Sequence, residues 1–188
     1  MAQIVVIAGS PGAGKTTLLE SLKGYKIVNV GTIMFEHALS MRSVKDRDEI
    51  RYLSNGLVDQ LRLAAFKEIS KMRGIVLIDT HASVECNGKF VPGTPRNALE
   101  TLGLHNIKAF IYIDAPTKDI LTRRLKDKKR KREIEKAEII DAQRVVNLSI
   151  LSAYSADLNI PLYIIINKQG KLEESKANLK AYLKEMFS

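Results

Sequence analysis

The chain has 188 residues, 45% of them apolar and 27% charged, with one cysteine and a formal net charge of +9. Such a length suits one domain with a proper core, and such a composition excludes a disordered chain. The lone Cys86 excludes an internal disulfide and fits a reducing, cytoplasmic setting, and no apolar run approaches the ~20 residues of a membrane span.

The positive balance is local. Between Arg123 and Arg132 eight Lys or Arg stand against one Asp, and the remainder is nearly balanced. A cluster of this kind serves a phosphate clamp as well as it serves a polynucleotide. The first residues read as a core strand rather than a secretory signal.

Taken in order, Ile4–Ala8 is an apolar run that reads as a buried strand. It leads into Gly9-Ser10-Pro11-Gly12-Ala13-Gly14-Lys15-Thr16-Thr17, and a helix is expected over Thr16 to Lys23. Strand, glycine-rich loop and helix with the spacing G-x-x-x-x-G-K-[ST] form a P-loop. A triphosphate needs many N–H donors converging on a small volume. Glycines let the backbone curl around it, and the helix start adds its positive dipole end. Gly9 to Thr17 are therefore the expected ATP-binding loop. Lys15 is expected on the β- and γ-phosphates and the Thr16 hydroxyl on Mg²⁺.

The second apolar run is Lys26–Val30. In the Gly31-Thr32-Ile33 that follows, Thr32 either caps the next helix or meets a second substrate. Lys45 to Arg51 places mixed charge at helical spacing. A solvated face is one reading of it, and a cationic contact through Arg47 and Arg51 is the other. Leu57, Leu61, Ala65 and Ile69 then step by four, as core packing of a helix requires.

The third run, Ile75–Ile78, ends in Asp79-Thr80-His81. A carboxylate closing a strand in a P-loop protein is the usual organiser of Mg²⁺, and His81 is either a phosphate or base contact or a satisfied loop residue. Asn87-Gly88 signals a tight turn between two short extended pieces, and the Pro92-Gly93-Thr94-Pro95 that follows fixes the backbone direction.

The fourth run, Ala109–Ile113, leads through Asp114-Ala115-Pro116 into a helix that runs into the cationic cluster. Here a mobile, arginine-bearing lid over the triphosphate is favoured over a solvated or RNA-binding run, with Arg124, Arg130 and Arg132 as its catalytic cations. A helical period spans Ile134 to Leu158. The fifth run, Leu162–Ile166, is followed by Asn167-Lys168-Gln169-Gly170, where Gly170 stands in place of the Asp that would read guanine. Leu172 to Phe187 closes the chain as an amphipathic helix.

Five short Ile- and Val-rich runs without a polar alternate face, separated by helices, give an α/β fold with a five-stranded parallel sheet buried on both faces. Ligands then sit at the carboxyl ends of the strands, where the P-loop, Thr32, Asp79 and the cationic cluster all fall.

The chain resembles the archaeal adenylate kinases, a branch of the nucleoside monophosphate kinases. The resemblance rests on Gly-x-Pro-Gly-x-Gly-Lys-Thr-Thr at 9–17, Val-Gly-Thr-x-Met at 30–34, Asp-Arg-Asp-x-x-Arg at 46–51 and Ile-Asp-Thr-His at 78–81. It extends to the Asn-Gly-Lys-Phe-Val-Pro-Gly-Thr-Pro stretch at 87–95, Arg123-Arg124-Leu125, and Arg-x-Arg at 130–132. It implies ATP + AMP ⇌ 2 ADP with Mg²⁺, a three-layer P-loop kinase fold and a homotrimer. It also implies one domain over 1–188, with a monophosphate-binding region about 32–72 and a short lid about 126–136. Thr32, Arg47, Arg51, Asp79 and His81 become the expected AMP site, and Thr16 and Asp79 the metal site.

Typical bacterial members of the wider family carry an arginine soon after the Thr that follows strand two, and Gly-Phe-Pro-Arg after the third-strand Asp. Here Phe35, Glu36 and Thr80-His81-Ala82 stand instead, so Arg47, Arg51 or Arg96 must hold the acceptor phosphate. The competing expectations are a monophosphate kinase for another base, a small-molecule kinase acting on a sugar or shikimate, and an RNA- or ribosome-associated ATPase. Nucleic acid and membrane are not the expected partners.

Overall fold

The computed structural model describes residues 2–86, 88–126 and 136–188, without the side chains of Asp48 and Arg51. In it the apolar runs pair as a parallel sheet. β1 (Ala2–Gly9) is central, flanked by β3 (Gly74–Asp79) and β6 (Ile107–Asp114), with β2 (Lys26–Asn29) and β7 (Leu162–Ile166) at the edges. β4 (Ser83–Cys86) and β5 (Lys89–Pro92) form a separate antiparallel hairpin, as the Asn87-Gly88 turn signal implies. The register aligns Ile7 with Asp79, Asn29 with Asp79, and Gly9 with Ile113, so these strand ends share the carboxyl edge of the sheet.

The absence of a polar alternate face in β1 has its cause in two separate cores. Ile4, Val6 and Ala8 point to one side, with Val76, Ile78, Phe110 and Tyr112. There α2 (Val30–Ser40), α3 (Asn55–Ile69), α4 (Arg96–Thr101) and α6 (Ala137–Leu158) supply Ala38, Phe66, Leu99 and Leu151. Val5 and Ile7 point to the other side, with Leu77, Ile111 and Ile113. There α1 (Lys15–Leu19), α5 (Thr117–Lys126) and α7 (Leu172–Phe187) supply Leu18, Ile120 and Leu179. The result is the expected three-layer α/β/α sandwich.

Local boundaries differ from the sequence reading at three places. The helix expected over Thr16 to Lys23 ends at Leu19, where tighter turns follow through Leu18 and Leu19 carbonyls. β2 stops at Asn29 and Val30 already begins α2, because Asn29 is the N-cap: its side chain accepts from the Thr32 N–H. Thr32 is thus capped and does not cap. Arg47–Tyr52 is a 3₁₀ helix, not the α-helix that the charge spacing of Lys45 to Arg51 suggests.

Candidate active site

β1 feeds directly into the glycine-rich loop, which α1 terminates. The loop closes on itself through Ala13 N–H donating to the Ser10 carbonyl at 3.0 Å. α5 then grips it from outside. Arg123 Nη1 donates to the Ala13 carbonyl at 3.0 Å and its Nη2 to the Asn167 carbonyl at 2.8 Å. Arg124 donates through Nε and Nη2 to the Pro11 carbonyl at 3.0 and 2.8 Å. A trans peptide turns its N–H away from its C=O. Drawing the Pro11 and Ala13 carbonyls outward therefore turns the Gly12 and Gly14 N–H groups inward, as an anion cradle requires.

Gly14 has φ +90°, and a Cβ there would lie 2.3 Å from Asn167 Nδ2. That amide donates to the Ala13 carbonyl at 2.8 Å. Asn167, considered only as part of a guanine-reading motif, thus works as a buried brace of the donor loop. The loop after β7 is also tied by its backbone, since Gln169 N–H donates to Asp119 Oδ2 at 2.8 Å.

Lys15 is buried at the start of α1 and forms an ion pair with Asp79 at the end of β3. The other Asp79 oxygen accepts from Asn29 Nδ2 at 2.5 Å. Thr16 and Thr17 are exposed on the open side of α1. Thr16 and Asp79 offer hard oxygen donors, and among the described residues no three His, Cys, Asp or Glu cluster as a metal cage. Hard oxygen donors of this kind are the ligands that Mg²⁺ takes.

On the β2 side, Arg47 lies over the start of α2. Its Nη2 donates to Asn29 Oδ1 at 2.7 Å and its Nη1 to Thr32 Oγ1 at 3.3 Å. The structure therefore brings Thr32 and Arg47 together at the end of β2, one strand from Asp79 and two from Lys15. His81 Nδ1 lies 3.3 Å from the Gly9 carbonyl, and the His81 carbonyl accepts from Thr94 Oγ1 at 2.9 Å. His81 joins the donor loop to the segment after β5. Arg51 lies on the 3₁₀ turn, with its side chain outside what the structure describes. Arg130 and Arg132, and nearly all of the lid expected over 126–136, lie outside the described residues. Arg96 pairs with Glu100 and Asp157.

α6 carries two polar groups that the sequence reading passed over. Arg144 makes a bidentate contact to Asp114, with Nε and Nη2 each at 2.8 Å, and this carboxylate holds the guanidinium's pKa above its ordinary value. Asn147 is 1% exposed. Its Nδ2 donates to Ser10 Oγ at 3.1 Å, and its Oδ1 accepts from Ser83 N–H at 2.8 Å and Ser83 Oγ at 2.7 Å. It ties the donor loop to the β4–β5 hairpin. The signal was present: Gln143 and Asn147 share the buried side of α6 with Ile140 and Leu151, where polar side chains need partners. Beside them Tyr112, pushed up to about 12 chiefly by burial, lies 3.4 Å from Ser10 Oγ.

The AAA domain family matches residues 8–141. Adenylate kinase of Methanothermobacter thermautotrophicus is 33% identical over 186 residues, covering 96% of this chain and 99% of that protein. Adenylate kinase of Thermococcus kodakarensis is 37% identical over 180 residues, covering 92% and 90%. That of Thermoplasma acidophilum is 36% identical over 173 residues, covering 90% and 92%. Among solved structures, shikimate kinase from Bacteroides thetaiotaomicron superposes with a TM-score of 0.57 at 13% identity, covering 96% of this chain and 98% of that one. Shikimate kinase from Acinetobacter baumannii in complex with shikimate gives 0.57 at 16%, covering 100% and 97%. At such identities the structural likeness speaks for the fold alone. The sequence likeness, spread over almost the full length of both partners, carries more: the chain belongs to the archaeal adenylate kinases.

Proposed function

We propose that the chain is an adenylate kinase that transfers a phosphoryl group reversibly from ATP to AMP, giving two ADP. The observation that carries this reading is the pairing of two cationic groups at one sheet edge. Lys15 stands in the donor loop after β1, and Arg47 stands two strands away over the start of α2, where a second phosphate group can be held.

Phosphoryl transfer asks little covalent work of the protein, so positioning and charge neutralisation supply the catalysis. The inward N–H groups of the donor loop and Lys15 hold the ATP phosphates. Arg123 and Arg124 keep that loop curled and add positive potential close behind it. Thr32 and Arg47, with Arg51, Asp79 and His81, hold AMP. Thr16 and Asp79 would hold Mg²⁺, which would supply neutralisation of the phosphate charge when bound. Lys15, paired with Asp79 in the structure, holds that carboxylate beside the donor loop. Arg130 and Arg132 close over the phosphates from the lid at 126–136, and the exclusion of water limits hydrolysis.

The same reading takes residues 1–188 as one kinase domain, with the monophosphate region at 32–72, and takes the protein as a cytoplasmic homotrimer. Among the described residues no helix is long and apolar enough to cross a membrane. Light scattering on the eluted protein tests the trimer. The deciding test of the activity is to mix the protein with ADP and Mg²⁺ alone. ATP and AMP should appear in equal amounts; ADP left unchanged, or hydrolysed to AMP without ATP, would refute the reading.

A further inference from the structure

Asn29 stands between the two halves of the site. It pairs with Asp79 in the β2–β3 register, at the last residue of each strand. Its side-chain amide is used at both ends. Nδ2 donates to Asp79 Oδ2 at 2.5 Å. Oδ1 accepts from Arg47 Nη2 at 2.7 Å, from Thr32 N–H at 2.9 Å and from Thr32 Oγ1 at 3.2 Å. The remaining Asp79 oxygen is on Lys15. A continuous polar chain therefore runs from the donor lysine through Asp79 and Asn29 to Arg47.

The residue type follows from the partners. Asp79 needs a donor and Arg47 needs an acceptor, and a short amide supplies both without charge. Aspartate would keep the acceptor but set a second carboxylate against Asp79. Serine is too short to span both partners. The neighbour at position 31 is constrained as well: a Cβ on Gly31 would lie 2.4 Å from Arg47 Nη2, so glycine lets the guanidinium settle onto Asn29.

We infer that Asn29 is a positioning residue that holds Arg47 in register with the Lys15–Asp79 pair, so that acceptor-phosphate binding is set from the donor side. The inference rests on the proposed function, in which Arg47 takes the phosphate of the monophosphate acceptor. Asn29 touches neither substrate. It acts by fixing the direction of Arg47 and by orienting the Asp79 carboxylate.

Helix capping is the competing role of this side chain, and two variants separate the roles. Asn29→Ser retains a capping oxygen for Thr32 N–H but cannot bridge Asp79 to Arg47. Asn29→Asp retains the cap and the Arg47 contact but loses the donor to Asp79. The expected result for Asn29→Ser is a KM for AMP raised about tenfold or more, as for loss of a hydrogen bond to a charged group. Its KM for ATP should change less than about threefold, and its unfolding midpoint should fall only by what loss of the Asn29–Asp79 bond costs, leaving the variant folded in the assay. Calorimetric binding of AMP alone, without ATP or metal, should weaken by the same factor. Adding Asn29→Ser to Arg47→Ala should cause no further loss in AMP affinity, because both act through one contact. Asn29→Asp should bind AMP alone nearly as the parent does, yet turn over at least about tenfold more slowly, because Asp79 is no longer oriented. Parent-like KM for AMP in Asn29→Ser, or full additivity with Arg47→Ala, overturns the inference. Conversion of ADP by the parent protein in the same assay reports separately on the proposed activity, so failure of one is not mistaken for failure of the other.

Discussion

Replacing Asn147 by alanine removes a side chain that is 1% exposed and serves three partners: Ser10 Oγ at 3.1 Å, and Ser83 N–H and Oγ at 2.8 and 2.7 Å. The Ser83 backbone N–H cannot find another acceptor by rotating. Leaving it buried and unmet costs about 1–3 kcal/mol, and the two hydroxyls add about 1 kcal/mol together after reorientation. A small cavity adds a little more. The total is about 3 kcal/mol, a large part of the ~5–15 kcal/mol that holds a typical protein folded. In a chain of this size it corresponds to a fall of about 6–12 °C in the thermal midpoint. Urea unfolding followed by circular dichroism measures it as a lowered midpoint with unchanged slope. Because Ser10 belongs to the donor loop, the KM for ATP should rise as well. A variant within about 0.5 kcal/mol of the parent would refute the claim that Asn147 is an obligatory buried hub.

Lys15→Met should lower turnover by at least about a hundredfold, since it removes the cation proposed to hold the transferring phosphate. It also strands the buried Asp79 carboxylate, so stability should drop by about 3 kcal/mol. Adding Asp79→Asn should recover that stability without recovering activity, and recovery of both would refute the catalytic assignment. Gly14→Ala forces a side chain into a left-handed backbone at φ +90° and toward Asn167. A loss of about 2 kcal/mol in stability and weakened ATP binding by calorimetry are expected, and parent-like ATP affinity would show that the loop does not need this geometry. Tyr112 is neutral in the fold up to about pH 12, against an ordinary value of 10.0. Its contribution is fully present below pH 10, and is lost between about pH 10 and 12 as the unfolded chain ionises first, by about 2–3 kcal/mol. Tyr112→Phe should flatten that part of the stability–pH curve measured in urea; an unchanged alkaline slope would mean that another group titrates there.

Several features of this protein were decided locally and could be read from the chain. The P-loop is set by residue types at fixed spacing, because only glycines and a helix start make that cradle. Five parallel strands follow from short apolar runs with no polar face. Asp79 announces itself as the charged end of the run Ile75–Ile78.

What only the tertiary structure decided lies in contacts between residues far apart in sequence. Asn29 reads as a position inside the second apolar run, Asn167 as a fragment of a guanine motif, and Asn147 as one polar position in a long helix. Their roles exist because packing brings β2 beside β3, the loop after β7 onto the P-loop, and α6 over Ser10 and Ser83. Likewise Arg123 and Arg124 belong by sequence to a cationic run and by structure to the outer wall of the donor loop. An amide or guanidinium shows no periodicity that names its partner. Its partner is chosen by burial, where an unmet donor or acceptor costs more than almost any local preference returns.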